Sequence, residues 1–117
     1  MTVVGTTPEF DAWFDELDDR DREAVMRVVR MLESKGITLG EPHSTALRGS
    51  RFPFRELRPK RGRSPLRVIY AFDPRREALV ILGGDKAAEP RFYARAIARA
   101  EALWIAHLED TESEEGP

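Results

Sequence analysis

The hydrophobic period of this chain changes from helical to two near its middle, and that change constrains the fold more than any other feature. Phe10, Trp13, Phe14 and Leu17 recur at i, i+3, i+4 and i+7, the spacing of one face of a helix. Val25, Val28, Val29 and Leu32 continue at helical spacing, with Met26 as a flank. Thr7-Pro8-Glu9 supplies a threonine N-cap, a proline at the first helical position and an acid in the first turn. The pattern pauses at Asp18-Asp19, and Gly36 suits a helix C-terminus. This predicts an α-hairpin or a single kinked helix. From Phe52 the period becomes two. Phe54–Arg58 alternates, Leu66–Phe72 is a β-branched and aromatic run, and Ala78–Leu82 is another, ended by Gly83-Gly84. Pro59–Pro65 and Asp73–Arg76 read as the turns of a three-stranded antiparallel meander. Thr2–Thr6 adds a short first strand, residues 37–50 read as a loop, and Glu89-Pro90 opens a last helix. The expected class is α+β: a helical hairpin on a small, mainly antiparallel sheet of about four strands, with a C-terminal helix.

Length and composition narrow the function classes. The 117 residues make one domain, expected over 1–108, followed by an acidic segment, 109–117, expected to be disordered. The chain has no cysteine, which removes disulfides, thiolate metal sites and cysteine nucleophiles and suits a cytoplasmic setting. The longest apolar runs are too short to span a bilayer, and the N-terminus lacks the pattern of a signal peptide. Glycine-rich phosphate loops, paired metal ligands and a Ser-His-Asp set are absent at recognisable spacing, so neither a metal nor a cofactor is expected. His43, in a loop, and His107, in the last helix, read as solvated or core-rim residues.

The net charge of −2 conceals a segregation. Residues 9–24 hold eight acids against two bases, net −6, whereas residues 48–67 hold eight bases against Glu56, net +7. A ligand feels local potential rather than net charge, so the basic block points to a polyanion. Alternate strand residues face opposite sides of a sheet. With Leu57, Val68 and Tyr70 turned to the core, Glu56, Arg58 and Arg67 point away from that face. Antiparallel pairing then brings Arg58 and Arg67 together, outside the apolar core, as two guanidiniums suited to a phosphodiester. Arg55 falls on the side of Leu57, at the rim. The competing reading makes Arg58 and Arg67 ordinary solvated strand residues with Glu56 as counter-ion.

The ordered set Leu47-Arg-Gly, Glu56-Leu-Arg58, Leu66-Arg-Val-Ile-Tyr70 and Leu82-Gly-Gly-Asp-Lys86, after a helical hairpin carrying Ala12-Trp-Phe-Asp-Glu-Leu17, resembles the toxins of bacterial RelE/ParE-superfamily toxin–antitoxin modules. It is most similar to their HigB-like, phage-related branch, over roughly residues 2–108. The resemblance implies an endoribonuclease that cuts mRNA in the ribosomal A site. The 2′-hydroxyl attacks the adjacent phosphate, leaving a cyclic phosphate and a 5′-hydroxyl. It further implies inhibition by a cognate antitoxin, usually a helix-turn-helix protein, in a hetero-oligomer. Carried over by position, the catalytic set is Glu56, Arg58, Arg67, Lys86 and Tyr93. Arg58 and Arg67 would clamp the scissile phosphate, Lys86 would stabilise charge or act as acid, and Tyr93 would stack on a base or assist proton transfer. Glu56 is a candidate base or an ordinary counter-ion. Arg48, Arg51, Arg55, Lys60, Arg61 and Arg63 would contact RNA phosphates. The segment after the last strand carries one lysine where such proteins often have several, and the pI of about 5.7 is low for them. A non-catalytic gyrase inhibitor of ParE type and an attenuated relative acting as a binding partner are therefore the alternatives.

Overall fold

The structure is a computed structural model and describes residues 1–114. Its elements are β1 (Val4–Thr6), α1 (Pro8–Asp15), α2 (Asp19–Lys35), β2 (Ser44–Ala46), β3 (Arg55–Leu57), β4 (Leu66–Phe72), β5 (Ala78–Asp85) and α3 (Phe92–Glu114). Thr7 starts α1: its Oγ1 accepts the Phe10 N–H at 3.0 Å and donates to the Ile81 carbonyl at 2.6 Å, fastening the helix start to β5. Asp18 starts α2 by accepting the Asp21 N–H at 2.8 Å. Two separate caps make the N-terminal pattern a hairpin rather than one kinked helix, each worth about 1 kcal/mol.

The sheet has five strands in the order β1-β5-β4-β3-β2. The β3–β4–β5 meander is antiparallel, β2 joins it antiparallel through β3, and β1 lies parallel to β5. The fifth strand, β2, falls in the stretch that reads as loop, because three residues are too few to show a period. One face of the sheet carries Leu57, Val68, Tyr70 and Val80 against Phe10, Val25, Val28, Val29 and Leu32 of the hairpin. The other carries Phe54, Ile69, Ala71 and Ile81 against Phe92, Ala96, Ala100 and Trp104 of α3. Covering on both faces explains why β4 from Val68 to Phe72 is a continuous apolar run rather than an alternating one. Val28, Leu32, Leu57, Val68, Tyr70 and Ile81 are buried, while Trp13 and Phe14 pack against the margin of the core. Each large buried side chain stabilises the fold by about 1.5–3 kcal/mol.

Two segments differ from expectation. Gly83 and Gly84 do not end β5 but lie inside it. A Cβ on Gly83 would stand 2.3 Å from the Trp13 ring, and one on Gly84 would stand 2.4 Å from the Phe92 ring. These glycines admit one aromatic ring onto each face of the sheet, which is a packing role rather than a turn role. The acidic segment is helical as far as Glu114, with Leu108 packed on the α3 cluster and Thr111 buried. Disorder was expected there from its acidic, apolar-poor composition, but the buried face of α3 continues through Leu108 to Thr111. Residues 115–117 lie outside the described part of the chain.

Candidate active site

β3, β4 and β5 end together on one side of the sheet. The pairs Leu57↔Val68, Val68↔Gly83 and Leu66↔Asp85 put Arg58, Arg67 and Lys86 at that common end. Glu56 and Arg67 occupy the α3 face, and α3 delivers Tyr93 from its first turn. The Tyr93 hydroxyl donates to Glu56 Oε1 at 3.3 Å. Arg67 Nε lies 3.7 Å from the same oxygen, close enough for Coulomb attraction but too far for a hydrogen bond. The side chains of this ion pair are 1% and 8% exposed.

Arg67 is therefore not the water-facing clamp expected from strand parity. It is the largest fully buried side chain among the described residues. Its Nη1 donates to the carbonyls of Ser64 at 2.6 Å and Leu66 at 2.7 Å. A guanidinium committed to two backbone carbonyls and one carboxylate positions Glu56; it has little left for a phosphate. The parity itself was correct. The error lies in the open face, because α3 covers it. Glu56 Oε2, Arg67 Nε and Arg58 Nε are buried without a hydrogen-bond partner, three unmatched polar atoms in one region. Unpaired buried groups cost about 1–3 kcal/mol each, and such strain concentrates at functional sites.

Tyr93 is the half-buried member of the cluster. Burial pushes its phenol pKa above the ordinary value of 10.0, the Glu56 carboxylate pushes it the same way, and Arg67 partly reverses this. Tyr93 consequently holds its proton at neutral pH and can donate it. Arg58 lies just beyond β3, half-buried, with its guanidinium against Gly62, 3.4 Å from where a Cβ would sit. Its N–H donates to the His43 carbonyl at 2.8 Å. Lys86 is exposed, and its backbone N–H donates to the Pro65 carbonyl at 3.0 Å, holding the β5 exit beside the start of β4.

The remaining basic residues do not form one patch. Arg48 and Arg51 sit on the loop whose Ser50 hydroxyl donates to Glu101 of α3 at 2.7 Å, and the Arg51 guanidinium covers the Phe52 ring at 4.9 Å. Arg55 turns to the hairpin face, as parity requires, where its Nε donates to Ser44 Oγ at 3.1 Å and the Tyr70 hydroxyl at 3.3 Å. Lys60, Arg61 and Arg63 surround the turn after β3 and are exposed. Sequence reasoning missed Ser64, whose carbonyl anchors Arg67; nothing in a loop serine signals that role. It also missed Asp73. This buried carboxylate accepts the N–H groups of Arg75 and Glu77 and lies 3.2 Å from His107 Nε2. His107 stacks on Trp104, so the pair latches α3 to the β4–β5 turn and plays no part at the opposite end of the sheet. Among the described residues no group of three or more histidine or acidic side chains is placed to hold a metal ion. No helix among them is long and apolar enough to cross a membrane.

Residues 12–104 match the family described as phage derived protein, Gp49-like. HigB2 of Mycobacterium tuberculosis is 38% identical, the alignment spanning 92% of this chain and 58% of that protein. HigB3 of the same organism is also 38% identical, over 74% of this chain and 75% of that protein. The chain thus spans little more than half the length of the first of these relatives. The isolated E. coli RelE toxin has the same fold at a TM-score of 0.56 and 20% identity, covering 85% of this chain and 98% of its own. So does the archaeal RelE of Pyrococcus horikoshii, solved as a RelE–RelB complex, at a TM-score of 0.55 and 13% identity over 75% and 98%. The chain belongs to the phage-derived Gp49-like family and is related to the HigB proteins of Mycobacterium tuberculosis.

Proposed function

We propose that this protein is the toxin of a bacterial type II toxin–antitoxin module, an endoribonuclease that cuts mRNA in the ribosomal A site and is neutralised by a cognate antitoxin. The observation that carries the catalytic reading is Tyr93. Its phenol keeps its proton, donates to a buried carboxylate and is held by a buried ion pair at the end of the sheet where Arg58 and Lys86 also lie. In the reaction the 2′-hydroxyl of the substrate loses its proton to water and O2′ attacks the adjacent phosphorus. The P–O5′ bond breaks, and the departing 5′-oxygen takes the Tyr93 proton, which water then replaces. The products are a 2′,3′-cyclic phosphate and a 5′-hydroxyl. Arg58 and Lys86 neutralise charge on the phosphoryl oxygens, while Glu56 and Arg67 position the phenol without touching substrate. Catalysis of this kind rests on placement and electrostatics. The partner is an antitoxin, as in the archaeal RelE–RelB complex. A helix-turn-helix protein is the expected form, from the HigB-like resemblance.

The test is Tyr93→Phe, which removes one exchangeable proton and one weak hydrogen bond while keeping the ring on Phe92. Removing a general acid costs about 10²–10⁴ in rate. Cleavage mapped by primer extension on mRNA in translating ribosomes should fall by that factor, and growth arrest on expression should be relieved, at an unchanged melting temperature. Undiminished cleavage would move the chemistry to other residues. Growth arrest that persists with no mRNA cleavage from the wild-type protein would favour a gyrase-directed, non-catalytic action.

A further inference from the structure

An acid at Tyr93 needs a base on the other side of the scissile phosphate. Glu56 does not fill that place, because it is buried and its carboxylate already accepts the Tyr93 hydroxyl at 3.3 Å. Asp85 is spent on the turn after β5, where its Oδ1 accepts the N–H groups of Ala87 and Ala88 at 2.8 and 3.0 Å. Glu89 differs from both. It belongs to the turn between β5 and α3, yet its side chain folds back over the α3 face of the sheet. Its Oε2 accepts the Asp85 N–H at 3.1 Å and lies 2.8 Å from where a Cβ on Gly84 would stand. Gly84 thus clears the sheet surface for a carboxylate as well as for the Phe92 ring. Its partner across the ladder is Arg67, the support of the Tyr93 cluster. The turn itself does not depend on the Glu89 side chain. Asp85 caps it, the Glu89 N–H donates to the Asp85 carbonyl at 3.2 Å, and the Lys86 N–H donates to the Pro65 carbonyl at 3.0 Å.

The spacing suits an acid–base pair. Glu56 on β3 and Gly84 on β5 are two strands apart, about 10 Å across the sheet. One ring stands between the phenol and the Glu89 carboxylate: Phe92 packs on Tyr93 at 5.0 Å between centroids and shares the space over Gly84 with Glu89. In glycoside hydrolysis, an acid and a base that flank one bond with a water between base and substrate stand about 6.5–9.5 Å apart. The separation here is of that order. Glu89 is exposed, so water reaches it. Resting on the endoribonuclease reading of Tyr93, we propose that Glu89 is the general base of the cleavage. A water takes the proton of the 2′-hydroxyl and passes a proton to the Glu89 carboxylate as O2′ bonds to phosphorus. The P–O5′ bond breaks, and O5′ takes the Tyr93 proton. Glu89 then returns its proton to solvent and Tyr93 regains one, so no net proton is consumed. A general base acts directly or through one water, and Glu89 acts by the second route.

The experiment compares full-length wild type, Glu89→Gln, Glu89→Asp and Tyr93→Phe on mRNA in translating ribosomes. Primer extension maps the bond that wild type cuts. The same mRNA is then synthesised with sulfur in place of the bridging 5′-oxygen at that bond. A thiol ionises far more readily than a hydroxyl, so the sulfur leaves without an acid, while the 2′-hydroxyl still needs a base. On the oxygen substrate, Glu89→Gln and Tyr93→Phe should each slow cleavage by about 10²–10⁴. On the sulfur substrate, Tyr93→Phe should recover to nearly the wild-type rate and Glu89→Gln should not. Glu89→Asp keeps a carboxylate and should lose less than Glu89→Gln. The glutamine amide oxygen still accepts the Asp85 N–H, so the melting temperature of Glu89→Gln should match wild type. The proposal is overturned if Glu89→Gln cuts the oxygen substrate as fast as wild type. It is equally overturned if sulfur rescues Glu89→Gln as fully as Tyr93→Phe, since Glu89 would then serve only the acid. Loss of activity in step with a fall in melting temperature, in both Glu89 variants, would make the residue structural. Wild-type protein that cuts no mRNA would remove the endoribonuclease reading, and the proposal with it.

Discussion

Replacing Arg67 by methionine separates a positioning arginine from a phosphate clamp. Methionine keeps much of the volume and removes the charge and every donor. Glu56, with its side chain 8% exposed, then loses its only cationic neighbour within ion-pair range among the described residues. An unpaired buried carboxylate costs about 3–5 kcal/mol. The lost donors to the Ser64 and Leu66 carbonyls act in the same direction. Against a total stability of about 5–15 kcal/mol this is a large fraction. At about 4 °C per kcal/mol for a domain of this size, the melting temperature should fall by about 12–20 °C. Glu56→Leu/Arg67→Met removes both charges and should recover most of the loss, since a buried pair exchanged for apolar groups is close to neutral. Thermal unfolding followed by circular dichroism reads all three proteins. A single variant that melts within about 2 °C of wild type would refute the reasoning. If it also failed to cleave mRNA, Arg67 would regain the role of phosphate clamp.

Tyr93 has a folded pKa raised above its unfolded value of 10.0, so its neutral form contributes stability that is complete below pH 10 and lost as pH climbs through the folded value. Glu56→Gln should bring the tyrosinate absorbance transition to lower pH; an unmoved transition would mean that the carboxylate does not act on the phenol. Asp73 behaves in the opposite sense. Burial raises its pKa, but hydrogen bonds from His107, Arg75 and the Glu77 backbone outweigh that and hold it below 3.8. Its contribution is present above pH 3.8 and lost as pH falls below it, so Asp73→Asn should flatten the melting-temperature profile on the acid side of pH 3.8. Gly83→Ala would force a methyl to 2.3 Å from the Trp13 ring and should cost about 1–3 kcal/mol in denaturant unfolding. A variant as stable as wild type would show that α1 can move off the sheet.

The local choices were legible because each is a short-range effect. The Thr7 and Asp18 caps, the two helical stripes, and the alternation in β3 are decided by residues within a turn or two of one another. The strip from Leu66 to Phe72 read as a strand even though burial on both faces removed its alternation. Lys60 and Arg61 were legible as cations but not as a left-handed turn, which no local pattern in a non-glycine pair announces.

What the sequence by itself determined was the class of fold, the meander, and the side of the sheet on which each strand residue lies. It also placed Glu56, Arg58 and Arg67 on one side of the sheet, and the family resemblance added Tyr93 as their companion. Only the tertiary structure decided which of these side chains is buried and which is open. A period of two tells which face a side chain takes; it does not tell whether that face is open. The path of α3 over the sheet buries Arg67, which strand parity alone leaves outside the core, and leaves Tyr93 half-exposed with its hydroxyl on Glu56. Packing also splits the +7 block between a loop against α3, the sheet interior and the exposed turn after β3. Charge density along a chain adds up without regard to direction, whereas the potential a ligand meets depends on where packing lets each charge point.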